Sequence, residues 1–178
     1  MSRPLDPAAF PLPGGTMLGK PVRQVALVVP DVEAQAQAWW DRLGVGPWSL
    51  YTLDAGKLDA ATYRGQPSSF RIRHALAFTG EVMLELVEPV AGPSIWSEFL
   101  DRGGAGMQHV AFYPDDFGAA SDALTAEGWT QVATGDGFGK SRDGRFSYWE
   151  HPEVAGIIVE IVQVPGERFP PELTIPAP

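Results

Sequence analysis

Two similar segments lie 85 residues apart in this chain, and this repeat constrains its fold more than any other feature. Residues 24–31 read QVALVVPD and residues 109–116 read HVAFYPDD. The offset is the same at both ends, because 109 − 24 and 116 − 31 are both 85. Each segment starts with a polar residue, continues as a strand-like run and ends on an Asp that suits a helix cap. The repeat predicts one small structural unit used twice.

Each repeat segment is followed by a helical pattern. These patterns cover residues 32–43 and 117–127, and a glycine closes each of them, Gly44 and Gly128. Glycine just after a helix suits the left-handed conformation of a C-cap. We therefore expect a helix after the first strand of each half.

After each helix the pattern becomes strand-like, with short turns that contain glycine. Such runs predict a β-hairpin in each half. The hairpin strands are expected at 70–78 with 82–87 and at 145–150 with 157–164, and weaker strands before them at 48–53 and 130–133. A further helical piece is expected near 95–100.

These elements predict an α+β fold with two tandem βαβββ modules that form a curved mixed sheet around a cleft. The expected divisions are an N-terminal arm (1–20), a first module (21–90), a linker (91–105), a second module (106–165) and a C-terminal tail (166–178). The sequence leaves open whether the modules pair within one chain or across a dimer.

Strand alternation places four polar side chains on the face that points away from the helices. Glu85 and Glu160 alternate with apolar residues in the last strand of each module. Gln24 and His109 begin the first strands, on the same face. Taken singly, each would more often be a solvated or hydrogen-bonded structural residue, but their matched positions favour a shared site.

A shared cation is the simplest reason to bury these four residues together. A lone buried carboxylate is costly unless it is paired or binds a cation. An amide oxygen, an imidazole nitrogen and two carboxylates suit zinc, nickel, cobalt, manganese or iron. We therefore predict one divalent metal ion bound by Gln24, Glu85, His109 and Glu160.

The strand at 70–78 offers candidates for substrate binding. Arg71 and Arg73 are predicted on the cleft face, where they could clamp a carboxylate or the phosphates of a thioester. The alternative is a solvated strand end. By the same alternation, His74 is expected to pack toward the helix. The Gly-rich run 135–139 lacks the context of a nucleotide-binding loop and is expected to be a flexible loop near the cleft mouth, with a lid as the alternative.

Composition excludes several classes of function. The chain has no cysteine, which excludes disulfides, thiolate chemistry and cysteine-ligated clusters and fits a cytoplasmic location. The net charge is −9 without a basic cluster, which argues against nucleic acid as a partner. No apolar run suits a membrane span, and residues 1–19 lack the apolar core of a signal peptide. A small-molecule substrate is the expected partner.

The sequence resembles the vicinal oxygen chelate (glyoxalase/bleomycin resistance/dioxygenase) superfamily, and within it the methylmalonyl-CoA epimerase-like branch. Three stretches carry the resemblance: residues 83–112 (MLELVEPVAGPSIWSEFLDRGGAGMQHVAF), residues 24–48 (QVALVVPDVEAQAQAWWDRLGVGPW) and the His151-Pro152 turn before GIIVEI. It extends over residues 22–165.

The resemblance implies roles for the same four residues. The metal positions of the family fall on Gln24, Glu85, His109 and Glu160. The epimerases usually have His where this chain has Gln24, and often Gln where it has Glu85, whereas the set Gln-Glu-His-Glu is similar to that of zinc-type glyoxalase I. By resemblance, Glu160 is the catalytic base that takes a proton beside a carbonyl, and the metal stabilises the enediolate.

A second acid/base residue and the oligomeric state are less defined. The epimerases use a second glutamate on an early strand of the first module, and this chain has no clear match. Residues that could substitute for it are Asp54, Asp59, Tyr63 and His74. The resemblance also implies a homodimer.

The expected function is that of a divalent-metal-dependent isomerase, epimerase or glyoxalase-type lyase that acts through an enediolate on a small carbonyl or acyl-thioester substrate. The alternative is a metal-free binding protein similar to the bleomycin-resistance proteins, although two buried glutamates argue against a dry cleft. An extradiol-type dioxygenase ranks last, because its iron site needs two His and one carboxylate and Gln24 stands where one His is required.

Overall fold

A computed structural model describes residues 20–154 and 156–177, and its elements follow the predicted tandem pattern. In chain order they are β1 (Gln24–Val28), α1 (Val32–Leu43), β2 (Trp48–Asp54), β3 (Ala60–Tyr63), β4 (Gln66–Pro67), β5 (Arg71–Thr79), β6 (Val82–Ala91), α2 (Ile95–Asp101), β7 (Gly106–Phe112), α3 (Phe117–Ala126), β8 (Thr130–Phe138), β9 (Gly144–Glu150), β10 (Ile158–Gln163) and β11 (Leu173–Ile175). A short 3₁₀ turn, Ala55–Lys57, follows β2.

The repeat Asp residues cap the helices, as the sequence predicts. The side chain of Asp31 accepts a hydrogen bond from the backbone N–H of Ala34 at 2.9 Å. Asp116 accepts the equivalent bond from Ala119 at 2.9 Å. Gly44 ends α1 with φ 66°, a left-handed conformation that a residue with a side chain rarely adopts.

All the strands in the described part of the chain belong to one sheet, in the order β11-β2-β5-β6-β1-β7-β10-β9-β8-β3-β4. β1 is parallel to β6 and β7 is parallel to β10, while β1 and β7 pair antiparallel at the centre. The two halves therefore join within one chain, which answers the question that the sequence leaves open. The predicted α+β fold with a mixed sheet is confirmed.

Two edge elements cross from one half to the other. The hairpin of β3 and β4 lies between β2 and β5 in sequence but pairs with β8, where Ala60 is opposite Asp136. β11, from the predicted C-terminal tail, pairs with β2, where Ile175 is opposite Trp48. Each half thus contributes strands to the edge of the other.

Helices α1 and α3 cover one face of the sheet, and the other face forms the cleft, where Trp96 of α2 is part of the lining. Under α1, Val32 and Ala36 pack with a cluster that includes Leu86. Under α3, Leu124 packs with Ile161. No helix in the described residues is long and apolar enough to cross a membrane.

The predicted faces of β5 are wrong. Ala75 and Ala77 lie in the cluster under α1, whereas Ile72, His74 and Leu76 line the cleft. A helix approaches a sheet closely where the side chains between them are small, and the two alanines meet that need. Both faces of this strand mix polar and apolar residues, so alternation alone could not decide between them.

The two arginines of β5 consequently lie outside the cleft wall. Arg73 forms an ion pair with Glu33 on α1 and lies 3.7 Å from a carboxylate oxygen of Glu88. Arg71 is exposed at the start of the strand. The prediction that this pair faces the cleft is therefore wrong.

The Gly-rich run 135–139 lies at the cleft as predicted, since Phe138 and Gly139 line it, but the prediction of a flexible loop is wrong. Residues up to Phe138 continue β8, paired with both β3 and β9. Position 135 of this strand requires glycine, because a Cβ there would overlap the ring of Phe146 on β9. Of the predicted divisions, the N-terminal arm falls almost wholly outside the described residues, and the other boundaries stay predictions.

Candidate metal centre in the cleft

Five neighbouring strands each supply one polar side chain to the floor of the cleft. In the order β5, β6, β1, β7 and β10 they are His74, Glu85, Gln24, His109 and Glu160. The four residues predicted as metal ligands are all at most 7% exposed. The fold thus brings together residues that are far apart in the sequence.

The predicted ligands are in direct contact. Nε2 of Gln24 donates a hydrogen bond to Oε2 of Glu85 at 2.6 Å. Nε2 of His109 lies 3.3 Å from Oε2 of Glu85 and 3.4 Å from Oε2 of Glu160. These contacts form a compact group of one imidazole, one amide and two carboxylates.

Other residues orient these side chains. The hydroxyl of Tyr113 donates to Oε1 of Gln24 at 2.9 Å. As a metal ligand, Gln24 would use its amide oxygen. Rotation of the amide by half a turn would turn Oε1 toward the space between the carboxylates and Nε2 toward the hydroxyl of Tyr113, which can accept a hydrogen bond. Nδ1 of His74 lies 2.7 Å from Oε1 of Glu85. Glu85 is therefore contacted from both sides.

The two carboxyl groups differ in proton affinity. Burial acts to raise the pKa of Glu85, but His109 and His74 outweigh it and hold that pKa at about 2. Burial raises the pKa of Glu160 above its ordinary value, against the opposing effect of His109. Burial also acts to lower the pKa of His109, yet Glu160 and Glu85 raise it to about 9. Environments that separate the pKa values of paired groups are typical of proton-transfer sites.

Three observations show that this group of residues fits a cation. Potential ligand atoms of Glu85, His109 and Glu160 all lie within 4.8 Å of one another. His109 is 0% exposed, and its Nε2 makes no hydrogen bond. A buried nitrogen in this state is available to bind a cation. Two carboxylates in a buried place repel each other unless a positive charge lies between them. The donors are of the types that bind zinc and other transition metals.

The cleft above this group is large and mostly apolar. Its volume is about 430 Å³. Its aromatic lining includes Tyr51, Tyr113 and Tyr148. Trp48 and Trp149 instead pack under α1 and α3.

Sequence reasoning named His74 as a candidate acid/base residue but placed it on the wrong face, and it missed Arg168 and Phe169, which also line the cleft. His74 was expected to face α1. Arg168 and Phe169 come from the segment before β11, which crosses over the cleft and lines it. A lone strand pattern gives no signal for either feature, since the crossing depends on the pairing of β11 with β2.

Comparison with known proteins gives the chain its family. Residues 23–148, well over half of the chain, match the sequence profile of the Glyoxalase/Bleomycin resistance protein/Dioxygenase superfamily. The chain belongs to this superfamily. The matched range includes Gln24, Glu85 and His109 and ends before Glu160. No curated protein sequence matches the chain.

Several solved structures share the fold. Methylmalonyl-CoA epimerase from Mycobacterium tuberculosis has a TM-score of 0.62 and 20% identity, over 90% of this chain and 95% of the epimerase. A Streptomyces coelicolor methylmalonyl-CoA epimerase variant in complex with 2-nitronate-propionyl-CoA has a TM-score of 0.63 and 16% identity, over 85% and 99%. A hypothetical protein from Bacillus halodurans has a TM-score of 0.61 and 15% identity, over 84% and 98%. At these identities the likeness shows the fold alone.

Proposed function

We propose that this chain is a divalent-metal-dependent isomerase, epimerase or glyoxalase-type lyase. The observation that carries the proposal is the convergence of Gln24, Glu85, His109 and Glu160 around an imidazole nitrogen without a hydrogen-bond partner. Membership of a superfamily that contains metal-dependent enzymes supports it, as do the epimerases among the structural neighbours.

Gln24, Glu85, His109 and Glu160 would hold the metal. Zinc, nickel, cobalt, manganese and iron all suit these donors, and the choice among them stays open. When bound, such an ion supplies Lewis-acid stabilisation of the negative charge that develops on a substrate carbonyl oxygen.

Glu160 is the proposed base. Its carboxylate lies at the floor of the cleft beside His109 and Tyr148. The burial that raises its pKa makes it a stronger base than an exposed carboxylate, which suits removal of a proton from carbon beside a carbonyl. The product of that step is an enediolate or enolate.

His74 is the proposed second proton-transfer group. It lies on β5, whereas Glu160 lies on β10, so the two residues approach the centre of the site from opposite sides. Nδ1 of His74 contacts Glu85 at 2.7 Å, which orients the ring. A reaction that removes a proton on one side of a planar intermediate and returns it on the other needs two such groups.

The cleft favours a substrate with an apolar body. Its lining includes Leu53, Ile72, Met83, Phe146 and Phe169, beside the polar floor. A small carbonyl compound or an acyl thioester matches this division between an apolar wall and a metal-binding floor. The expected homodimer and the cytoplasmic location stay predictions.

Two other functions fit less well. A metal-free binding protein would have to bury Glu85 and Glu160 beside each other with only the imidazolium of His109 to balance their charge, which is costly. An extradiol-type dioxygenase needs two His and one carboxylate, whereas this group offers His109 with two glutamates.

Elemental analysis of the untagged protein, purified without chelator, tests the metal proposal. We expect about one divalent ion per chain. His109→Ala should lose the metal, because it removes the imidazole nitrogen that faces both carboxylates. His151→Ala is the matched control, since His151 lies outside the cleft lining. Full metal content in His109→Ala would contradict the assignment.

Isotope exchange tests the proposed base. In deuterium oxide, 2-oxoaldehyde–thiol adducts and acyl-CoA epimers are screened for loss of the proton beside the carbonyl. Glu160→Gln should keep part of the metal and lose exchange, and Glu153→Gln on the exposed turn after β9 should leave both unchanged. Protein that takes up none of the metals and shows no exchange would favour the binding-protein alternative.

A further inference from the structure

A β-bulge interrupts the pairing of the two central strands beside His109. Ala26 is opposite His109, but the next residue of β1, Leu27, is opposite Met107. Gln108 is therefore the extra residue on β7, without a partner in the ladder. A bulge changes the local direction of side chains and is common next to functional sites.

The bulge places two consecutive side chains in the interior. On a regular strand, neighbouring residues point to opposite faces. Here Gln108 is 2% exposed and His109 is 0% exposed, and their side chains contact each other, with 2.9 Å between Oε1 of Gln108 and Nδ1 of His109. Only an irregular backbone makes this contact available.

The partners of Gln108 determine which nitrogen of His109 carries a proton. Nε2 of Gln108 lies 2.8 Å from the carbonyl oxygen of Ile95. A carbonyl oxygen can only accept, so the amide NH₂ must face Ile95 and the amide oxygen must face His109. Nδ1 of His109 must then donate. In a neutral ring, the free lone pair is consequently on Nε2, the atom that faces Glu85 and Glu160.

The Ile95 carbonyl is itself held in place. It belongs to the first residue of α2, and the capping box between Ser94 and Ser97 fixes that end of the helix. The side chain of Ser94 is 3% exposed. A continuous chain of hydrogen bonds thus runs from the start of the linker helix through Gln108 to the imidazole.

We propose that Gln108 is a positioning residue that fixes the ring orientation and the Nδ1–H tautomer of His109, so that Nε2 faces the cation. This inference rests on the proposed function for its effect on metal affinity, but the hydrogen bond itself does not need the metal. Partners of this kind on metal-binding histidines hold the ring and increase its basicity. Gln108 is not among the residues that line the cleft.

Zinc binding and nuclear magnetic resonance test the proposal together. The full chain is prepared as Gln108→Leu, which has a similar volume and no polar atoms, and as Gln108→Glu, which when protonated can keep both hydrogen bonds. Gln131→Leu, on the exposed start of β8, is the matched control. We expect zinc affinity to fall by about 10- to 100-fold in Gln108→Leu. Gln108→Glu should recover part of the loss, and the control should bind as the parent does.

The spectroscopic measurement separates positioning from general destabilisation. The chain has three histidines, so their ring N–H signals can be assigned by substitution. In the parent, Nδ1–H of His109 should be protected from exchange with water, with or without zinc. Gln108→Leu should lose that protection while thermal unfolding shows a folded protein.

Each outcome has a defined meaning. Unchanged zinc affinity in folded Gln108→Leu, or an unprotected Nδ1–H in the parent, would overturn the positioning role. If the parent binds no zinc but its Nδ1–H is protected and Gln108→Leu loses it, the tautomer assignment stands and the metal function is what fails.

Discussion

Ala26 and Ala111 occupy matched positions on the two central strands, 85 residues apart, and both are 0% exposed. Ala26 lies opposite Glu85 on β6 and His109 on β7. Ala111 lies opposite the other two candidate ligands, on β10 and β1. Each alanine therefore separates two ligands on neighbouring strands, and its small side chain leaves the room in which a cation would lie.

Enlarging one of these alanines should close the site. Ala111→Val adds two methyl groups between Gln24 and Glu160, and we expect zinc affinity to fall strongly. Overpacking should also lower the free energy of unfolding by about 1–3 kcal/mol. Titration calorimetry with zinc and thermal unfolding measure the two effects. Ala77→Val is the control, because it overpacks the face under α1. Equal loss of zinc binding in both variants would argue against a special role for Ala111.

Gly135→Ala should destabilise the protein without affecting the cleft floor. The added Cβ would overlap the ring of Phe146, which is 7% exposed and has little room to move. We expect the free energy of unfolding to fall by about 1–3 kcal/mol, measured in urea. Gly104→Ala is the control, since a Cβ there meets no atom within 4 Å. If the two variants were equally stable, the close contact of β8 with β9 would be in doubt.

The sequence was sufficient to predict the fold and to place the four candidate metal ligands on one face, but not to predict the residues around them. The repeat predicted the first strands and both long helices, and alternation placed Glu85 and Glu160 on the correct face. The strand carrying His74 was assigned the wrong face because its two sides have similar polarity. Pairing between β8 and β9 keeps the Gly-rich run extended, and no local pattern contains that information.

Long-range strand pairing explains why the two halves differ in length and why Gln108 was missed. Gln24 and Glu85 are 61 residues apart, whereas His109 and Glu160 are 51 apart (160 − 109). The longer first half contains the hairpin of β3 and β4, which pairs with the second half. Gln108 was missed because the β-bulge is defined by its register with β1.

Protonation of Glu98, on α2, should make the protein less stable in acid. Burial acts to raise its pKa, but hydrogen bonds from Tyr63 and Arg64 lower it below its ordinary value of 4.5. A lowered folded pKa contributes stability that is present above pH 4.5 and is lost as the pH falls through the folded value. Glu98→Gln should therefore reduce stability at neutral pH, and the difference from the parent should shrink in acid.

Urea unfolding at neutral pH and below pH 4.5 measures this difference. Glu127→Gln, on the exposed end of α3, is the control and should differ little from the parent at either pH. A gap between Glu98→Gln and the parent that stays constant with pH would exclude ionisation of Glu98 as its source.

Arg168 should favour substrates that carry a carboxylate. It lines the cleft, and the structure gives it no ion-pair partner among the described residues. Lys57, by contrast, is bound to the carbonyl oxygen of Thr52 at 2.9 Å and lies 3.7 Å from Glu172. Arg168→Met should weaken binding of the probe phenylpyruvate by about fivefold, or about 1 kcal/mol, as is typical of an exposed charge pair.

The methyl ester of phenylpyruvate separates charge from shape. Its affinity should be the same in Arg168→Met as in the parent, because the ester has no charge to pair. Arg71→Met, outside the cleft lining, should leave both affinities unchanged. If Arg168→Met weakened acid and ester equally, the effect would be one of packing in the segment before β11.

Because edge strands cross between the two halves, a cut in the linker would not give two complete units. A fragment that stops in the linker before β7 would contain β3 and β4 without β8, and β2 without β11. Each fragment would thus expose a strand edge that the other normally covers. We expect the two halves to lose their structure in one cooperative transition, and separately expressed halves to become ordered only when they are mixed.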